Sequence, residues 1–207
     1  MKKVSELGFR TDSWYEVIVS TYSENSEPHF AAMGCGLIDD EHLIVKPYTN
    51  TETYRNLLSH RAAAVNVTNE PYHFYAAVFN KPLPHRRGEK VTAPLLDGAE
   101  AWIETVVENI SADTPDRATV TLTPITITFA QPVTRPYSRA GHAIVEMLIH
   151  YTRVKVFAHS SEHSRAVSLA EKILDYSALV RRVTSNPVYL QICDEVVNEL
   201  NKLGVLG

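Results

Sequence analysis

Between Pro28 and Asn69 the chain carries, in close order, residue types suited to a flat, phosphorylated ligand. The run PHFAAMGCGLI has the apolar character of a strand, but Gly34 and Gly36 interrupt it, and Ala31, Ala32 and Cys35 leave further space beside them. Glycine inside a strand marks either a bend or a backbone that a ligand approaches closely. After HLIVKP comes YTNTETYRNLLSH, where Thr49, Asn50 and Thr51 precede Tyr54, Leu57 and Leu58 at helical spacing. That pattern predicts a helix starting near Thr51, whose first amides have no intrahelical acceptor. Such amides and the hydroxyls of Thr51 and Thr53, with Lys46 and Arg55 nearby, suit a phosphate group. Each residue also has a plainer role, Thr51 as a helix cap and Lys46 as a solvated strand end. Glu52 works against the phosphate: a carboxylate in the first turn suits the helix dipole but repels an anion unless it points away.

Asn66 and Thr68 end an otherwise apolar strand, where an amide and a hydroxyl can meet the donor and acceptor demands of a heterocycle's polar edge. Asn66 can equally bond a neighbouring loop. The aromatic set Tyr72, His73, Phe74 and Tyr75 can cover a ring face or fill core. Arg139, Glu146 and Arg153 recur every seven residues on one helix face, a spacing that suits a charge network or a ligand contact by Arg139. His159-Ser-Ser-Glu162-His163 matches the H-x-x-E-H pattern of inverted zinc peptidases. The first histidine precedes the serines expected to cap the next helix, and no third ligand is defined, so no metal site is expected. No nucleophile elbow, Walker loop, Rossmann glycine signature or paired C-x-x-C is present.

The elements that must position these residues fall into two textures. Trp14 to Thr21 alternates, with Tyr15, Val17 and Val19 on one face. Further strands are expected over Phe30 to Ile38, Leu43 to Lys46, Ala62 to Thr68, Ala101 to Ile110 and Ala118 to Phe129. At Pro124 the apolar parity shifts to Ile125, Ile127 and Phe129, which predicts a bulge or corner. Short helices are expected over Thr51 to His60 and Pro71 to Phe79, and the basic, proline-rich stretch from Lys81 to Lys90 reads as a loop. Such a series favours a small, mainly antiparallel barrel over a helix-wrapped parallel sheet. After Gln131-Pro132 the pattern turns helical, with Ser138, Ser160 or Ser161, and Asn186-Pro187 as expected helix starts. The expected division is therefore a barrel over residues 1–136 and a helical subdomain over 137–207, packed on the barrel or on a dimer partner.

A length of 207 residues with 44% hydrophobic content supports a substantial core without disulfides, and only Cys35 and Cys193 are present. The N-terminal segment has no apolar run of the signal-peptide type, and no apolar stretch approaches the roughly 20 residues needed to cross a membrane. A cytoplasmic protein with no membrane partner is the expectation. The net charge of −4 argues against a general nucleic-acid binder.

The order AAMG, KPYTNTETYRNL, AAAVNVT, EPYHFYAAVF resembles the FMN-binding split barrel of flavin reductase-like proteins. Within that superfamily the chain is most similar to domain-of-unknown-function family 447, which the C-terminal run SRAGHAIVEMLIHYTR also resembles. The resemblance implies a mainly β fold with added α: a split, Greek-key-like antiparallel barrel plus a C-terminal helical subdomain. It implies non-covalent FMN held by Met33, Gly34, Lys46, Pro47, Tyr48, Thr51, Thr53, Tyr54, Asn66, Thr68 and Arg139. It further implies a homodimer with the flavin near the interface, and hydride transfer between FMN and NAD(P)H or a small substrate. The catalytic residues are left undefined. A flavin-binding interaction protein without turnover is one alternative. An oxidase like those acting on pyridoxamine phosphate is another, with Arg86, Arg87 and Arg135 available for a second phosphate.

Overall fold

The computed structural model describes residues 3–39, 41–78, 80–130 and 136–206. The chain divides into two compact units, Met1–Tyr137 and Ser138–Gly207.

Six strands of the first unit close an antiparallel barrel: β1 (Trp14–Tyr22), β2 (Pro28–Asp39), β3 (His42–Val45), β4 (Ala62–Val67), β7 (Ala101–Thr114) and β8 (Arg117–Phe129). Around the barrel the order is β1-β2-β3-β8-β7-β4, with β4 returning to pair with β1. Alternation fills the interior: Tyr15, Val17 and Val19 of β1 meet Cys35 and Leu37 of β2, Val65 and Val67 of β4, Ile103 of β7 and Leu122 of β8. The inward face expected for β1 is the one observed.

Between β4 and β7 lie α2 (Pro71–Val78) and a small two-stranded sheet, β5 (His85–Arg87) with β6 (Pro94–Leu96). These cover the outer face of the barrel, where Ile18, Phe30, Ala64 and Trp102 pack against Ala76, Ala77, Leu83, Leu95 and Leu96. β4 is thus buried on both faces, which accounts for its apolar run AAAVNV, interrupted only by the buried Asn66. The stretch expected to be a loop is in part this flap. It is fixed by non-local bonds: Trp102 Nε1 donates to Leu96 O at 2.8 Å, and the buried Glu104 carboxylate accepts the amides of Lys90 and Val91, each at 2.8 Å. A Cβ on Gly88 would come within 2.7 Å of that carboxylate and 2.4 Å of Val91 O, so only glycine lets the loop close over it.

The bulge falls where the proline sets it. Glu104 pairs with Thr126 and Thr105 with Pro124, leaving Ile125 as the extra residue. Ile125 is consequently turned outward, and the inward face resumes at Ile127, two residues later than the parity of the sequence suggests.

The second unit is a hairpin of α3 (Arg139–Phe157) and α4 (His163–Val183) with α5 (Pro187–Lys202). Asn186 caps α5 by accepting from the amides of Val188 and Tyr189. Ser138 takes the N-cap position of α3 without a side-chain capping bond. α4 begins later than expected, because Ser160 closes the preceding turn by donating to Phe157 O and accepting from the Glu162 amide. No described helix is long and apolar enough to cross a membrane.

Candidate functional site

The first half of β2 is paired on one side only, as are the far ends of β7 and β8. β3 meets β2 only from Cys35 to Asp39, so Pro28 to Gly34 has β1 on one side and no described strand on the other. Backbone direction along this edge follows from the ladder. Glu16 N donates to Tyr137 O at 2.9 Å, away from β2, which makes Glu16 and its opposite number Gly34 a non-hydrogen-bonded pair. The N–H and C=O of Gly34, and by alternation those of Ala32, therefore point to the side that β3 vacates. Met33 between them packs its side chain against the barrel core. The two glycines differ. A Cβ on Gly36 would lie 2.9 Å from Ile44 Cγ2, so packing alone demands glycine there, whereas a Cβ on Gly34 would make ordinary contact with the Trp14 ring at 3.4 Å.

The segment after β3 is held in place by the β7–β8 turn. Arg117 donates to Lys46 O at 2.9 Å and stacks 3.8 Å over the Tyr48 ring; Ala118 N donates to Pro47 O, and the Thr49 hydroxyl donates to Pro115 O. The chain then enters α1 (Glu52–His60) through Thr51 as N-cap. The Thr51 hydroxyl is committed locally, donating to Tyr48 O at 2.7 Å and accepting from Tyr54 N at 3.4 Å. Thr53 is buried, with its hydroxyl 3.0 Å from His29 Nε2, and Asn56 donates to the Thr21 hydroxyl. These contacts press the first turn of α1 against the start of β2. Glu52 turns toward His29, its carboxylate 3.6 Å from Nδ1. Lys46 and Arg55 are exposed beside this turn. The structure thus brings Gly34, Lys46, Pro47, Tyr48, Thr51, Thr53 and Tyr54 into one region along a strand edge and a helix start.

Asn66 and Thr68 are engaged elsewhere in the barrel unit. Asn66 is fully buried under the flap, where Nδ2 donates to Ile18 O and the Ser20 hydroxyl, both at 2.8 Å, and Oδ1 accepts from Leu96 N at 2.8 Å. Of the two roles open to it, the neighbouring loop takes the side chain. Thr68 bonds His73 Nδ1 at 2.9 Å and accepts from the Glu70 amide, which fixes the entry to α2. Arg139 is the first residue of α3 in the helical unit. Phe74 packs against the flap cluster and Tyr72 is exposed, while the side chain of Tyr75 lies outside the described residues. The arginines of the second-phosphate reading are used by the flap: Arg86 stacks 4.2 Å over Trp102 and pairs with Asp97, and Arg87 lies 3.5 Å from the Thr92 hydroxyl. Arg135 lies outside the described residues. His159 precedes α4 and His163 is its first residue, so they do not share a helix face. Among the described residues no group of three or more candidate ligands is placed to hold a metal.

His29 is the residue that sequence reasoning missed. Its only signal was a polar side chain in a strand otherwise cleared of bulk, and the partner that fixes it is 24 residues away. Burial lowers its pKa, Arg55 acts in the same sense and Glu52 opposes them. His42 behaves oppositely: its hydrogen bond to Asp39 raises its pKa, helped by Glu108. The unfolded imidazole, near 6.5, takes a proton before folded His29 does, so His29 removes stability as pH falls through 6.5 toward its folded value. His42 adds stability below 6.5 that is lost as pH rises through its folded value. Imidazole resonances followed across pH are expected to place His29 below 6.5 and His42 above it; the reverse order would contradict both environments.

The fold, a closed six-stranded antiparallel barrel with C-terminal helices, is that of the split-barrel flavin reductase-like proteins. The chain belongs to the family described as Protein of unknown function (DUF447), whose N-terminal-domain model matches residues 15–131 and whose second model matches residues 138–187. It is similar throughout to the FMN-bound protein MM1853 from Methanosarcina mazei, a member of that family, at 22% identity and a TM-score of 0.54 over 95% of this chain and 98% of that one. Nitrilotriacetate monooxygenase component B from Bacillus cereus matches at 14% identity and a TM-score of 0.51, over 65% of this chain and 79% of that one. The 2-nitrobenzoate 2-nitroreductase NbaA from Pseudomonas fluorescens matches at 11% identity and a TM-score of 0.50, over 60% and 68%. No curated protein matches the sequence.

Proposed function

We propose that the protein binds FMN non-covalently along the free edge of β2 and acts as an FMN-dependent oxidoreductase. The observation that carries this reading is the half-paired strand: the backbone groups of Ala32 and Gly34 face a side with no described strand, beside the first turn of α1. An isoalloxazine edge offers carbonyl and imide groups that such an edge can match. The phosphate goes to the first-turn amides of α1, with Lys46 and Arg55 as nearby cations. Because the Thr51 hydroxyl caps the helix and the Thr53 hydroxyl meets His29, the amides carry this contact and the hydroxyls shape it. Glu52 turns toward His29, which relieves the objection that its charge raises. Pro47, Tyr48 and Tyr54 frame the turn, and Arg139 enters this reading only through the family resemblance.

Bound there, FMN supplies hydride chemistry, and the protein supplies position and exclusion of solvent. The reading takes NAD(P)H or a small organic molecule as the exchange partner. It also takes the protein as a homodimer in the cytoplasm with the barrel and helical units as separate domains. Tyr48, Tyr72 and Val78, each more than half exposed at 52%, 54% and 64%, supply apolar surface for a subunit contact.

The purified protein is expected to be yellow or to take up FMN stoichiometrically, to release unmodified FMN on denaturation, and to be bleached anaerobically by NADH or NADPH. A colourless protein that fails to take up FMN overturns the reading. A yellow protein that no hydride donor bleaches selects the non-catalytic flavin-binding alternative.

A further inference from the structure

Both ring nitrogens of His29 are directed at the first turn of α1. Nε2 lies 3.0 Å from the hydroxyl of the buried Thr53, and Nδ1 faces the Glu52 carboxylate at 3.6 Å. The ring is mostly enclosed, with 17% of the His29 side chain exposed against 44% for Glu52, and its strand position is fixed opposite Thr21 of β1. Burial lowers its pKa, so at neutral pH the ring carries a single N–H. A carboxylate only accepts, which places that proton on Nδ1 and leaves the Nε2 lone pair for the Thr53 hydroxyl. At this distance Nδ1–H draws Glu52 over electrostatically, without a full hydrogen bond. The contact matters because of where Glu52 stands. Thr51 is the N-cap, so Glu52 and Thr53 are the first helical residues and their amides have no intrahelical acceptor. An anion held by those amides sits beside the Glu52 backbone, in reach of its carboxylate unless something holds that carboxylate back. Arg55 is directed elsewhere, its Nη1 donating to Asn50 O at 3.3 Å.

We propose that His29 is a positioning residue for the flavin phosphate: it draws the Glu52 carboxylate off the start of α1 and thereby sets a preference for FMN over riboflavin, the same ring system without the phosphate. This rests on the flavin reading above, with the phosphate at the first turn of α1. In this role His29 acts through Glu52 and touches neither ring nor phosphate.

Titration of the full chain with FMN and with riboflavin tests it, at low ionic strength where exposed charges are least screened. The proteins compared are wild type, His29→Gln, Glu52→Gln and the double variant. Glutamine keeps a group for the Thr53 hydroxyl but has no counterpart of Nδ1. His29→Gln is expected to weaken FMN by about threefold to tenfold relative to riboflavin, the size of a charge effect at a helix start. His29→Leu, apolar at a mostly enclosed position, is expected to show the same selective loss. Glu52→Gln is expected to keep or raise the preference for FMN, and in that background the change at His29 costs no preference, because no charge is left to hold back. A merely structural role for His29 predicts instead that both flavins weaken alike and that the double variant loses as much as the single one. Scoring each protein by the ratio of the two flavins cancels a general weakening of the fold. FMN uptake with an unchanged ratio in His29→Gln, or a loss that persists in the double variant, overturns this inference and leaves the flavin reading standing. A wild-type protein that binds FMN and riboflavin equally moves the phosphate off α1 and also overturns it, whereas one that takes up neither flavin overturns both readings.

Discussion

Asn66→Ala is expected to lower the stability of the barrel by about 3 kcal/mol and its unfolding midpoint by roughly 6–12 °C, with little change in the affinity of folded protein for FMN. Asn66 joins three separate pieces of chain. Its Nδ2 holds Ile18 O and the Ser20 hydroxyl on β1, and its Oδ1 holds Leu96 N on β6. Ser20 in turn donates to Pro94 O, so the flap and the barrel are stitched at one fully buried point. Truncation leaves the Leu96 amide without its acceptor, and no side chain of similar shape restores both functions. Aspartate accepts but does not donate, and it buries a charge; leucine does neither. Urea denaturation and calorimetry read the first effect, and a flavin titration reads the second. Full stability with lost FMN affinity would instead put Asn66 on the cofactor, as one sequence-based reading has it.

What was legible in the chain was what local pattern encodes. Tyr15, Val17 and Val19 alternate because one face of β1 lines the barrel, and Pro124 marks a bulge because it cannot donate to the ladder. The candidate site was legible to the same depth. The helix start at Thr51 and the open glycine at position 34 are local facts, and both lie in one region of the structure. What was hidden depends on partners far along the chain. Glu104 finds its partners only when the loop from Gly88 to Val91 closes on it, and the flap reads as loop because its order comes from Trp102, Glu104 and Asn66. His29 and Thr53 belong together only once α1 folds back along β2. The same non-locality separated the two polar strand-end residues from the site, since nothing near Asn66 or Thr68 in sequence reveals Leu96 or dictates the bond to His73.

Gly34→Val is expected to cut FMN affinity by on the order of tenfold to a hundredfold while leaving the barrel as stable as before. The two glycines of β2 make this a controlled comparison. At position 34 a Cβ meets only the Trp14 ring, at an ordinary 3.4 Å, and a β-branched residue suits a strand, so the backbone site accepts a Cβ. What valine adds is bulk beside a backbone whose N–H and C=O face the vacated edge, where a flat ring must come within van der Waals distance of the α-carbon. At position 36 the situation is reversed. A Cβ there would stand 2.9 Å from Ile44 Cγ2, on the half of β2 that β3 already covers, so Gly36→Ala is expected to cost about 1 kcal/mol of stability and to spare the affinity. Two substitutions, two residues apart on one strand, therefore separate packing from binding. Equal losses of affinity at both positions, or none at Gly34, would move the flavin away from this edge and with it the case for the turn from Lys46 to Tyr54. The expected split ties the cofactor to the stretch of β2 whose second side no described strand covers.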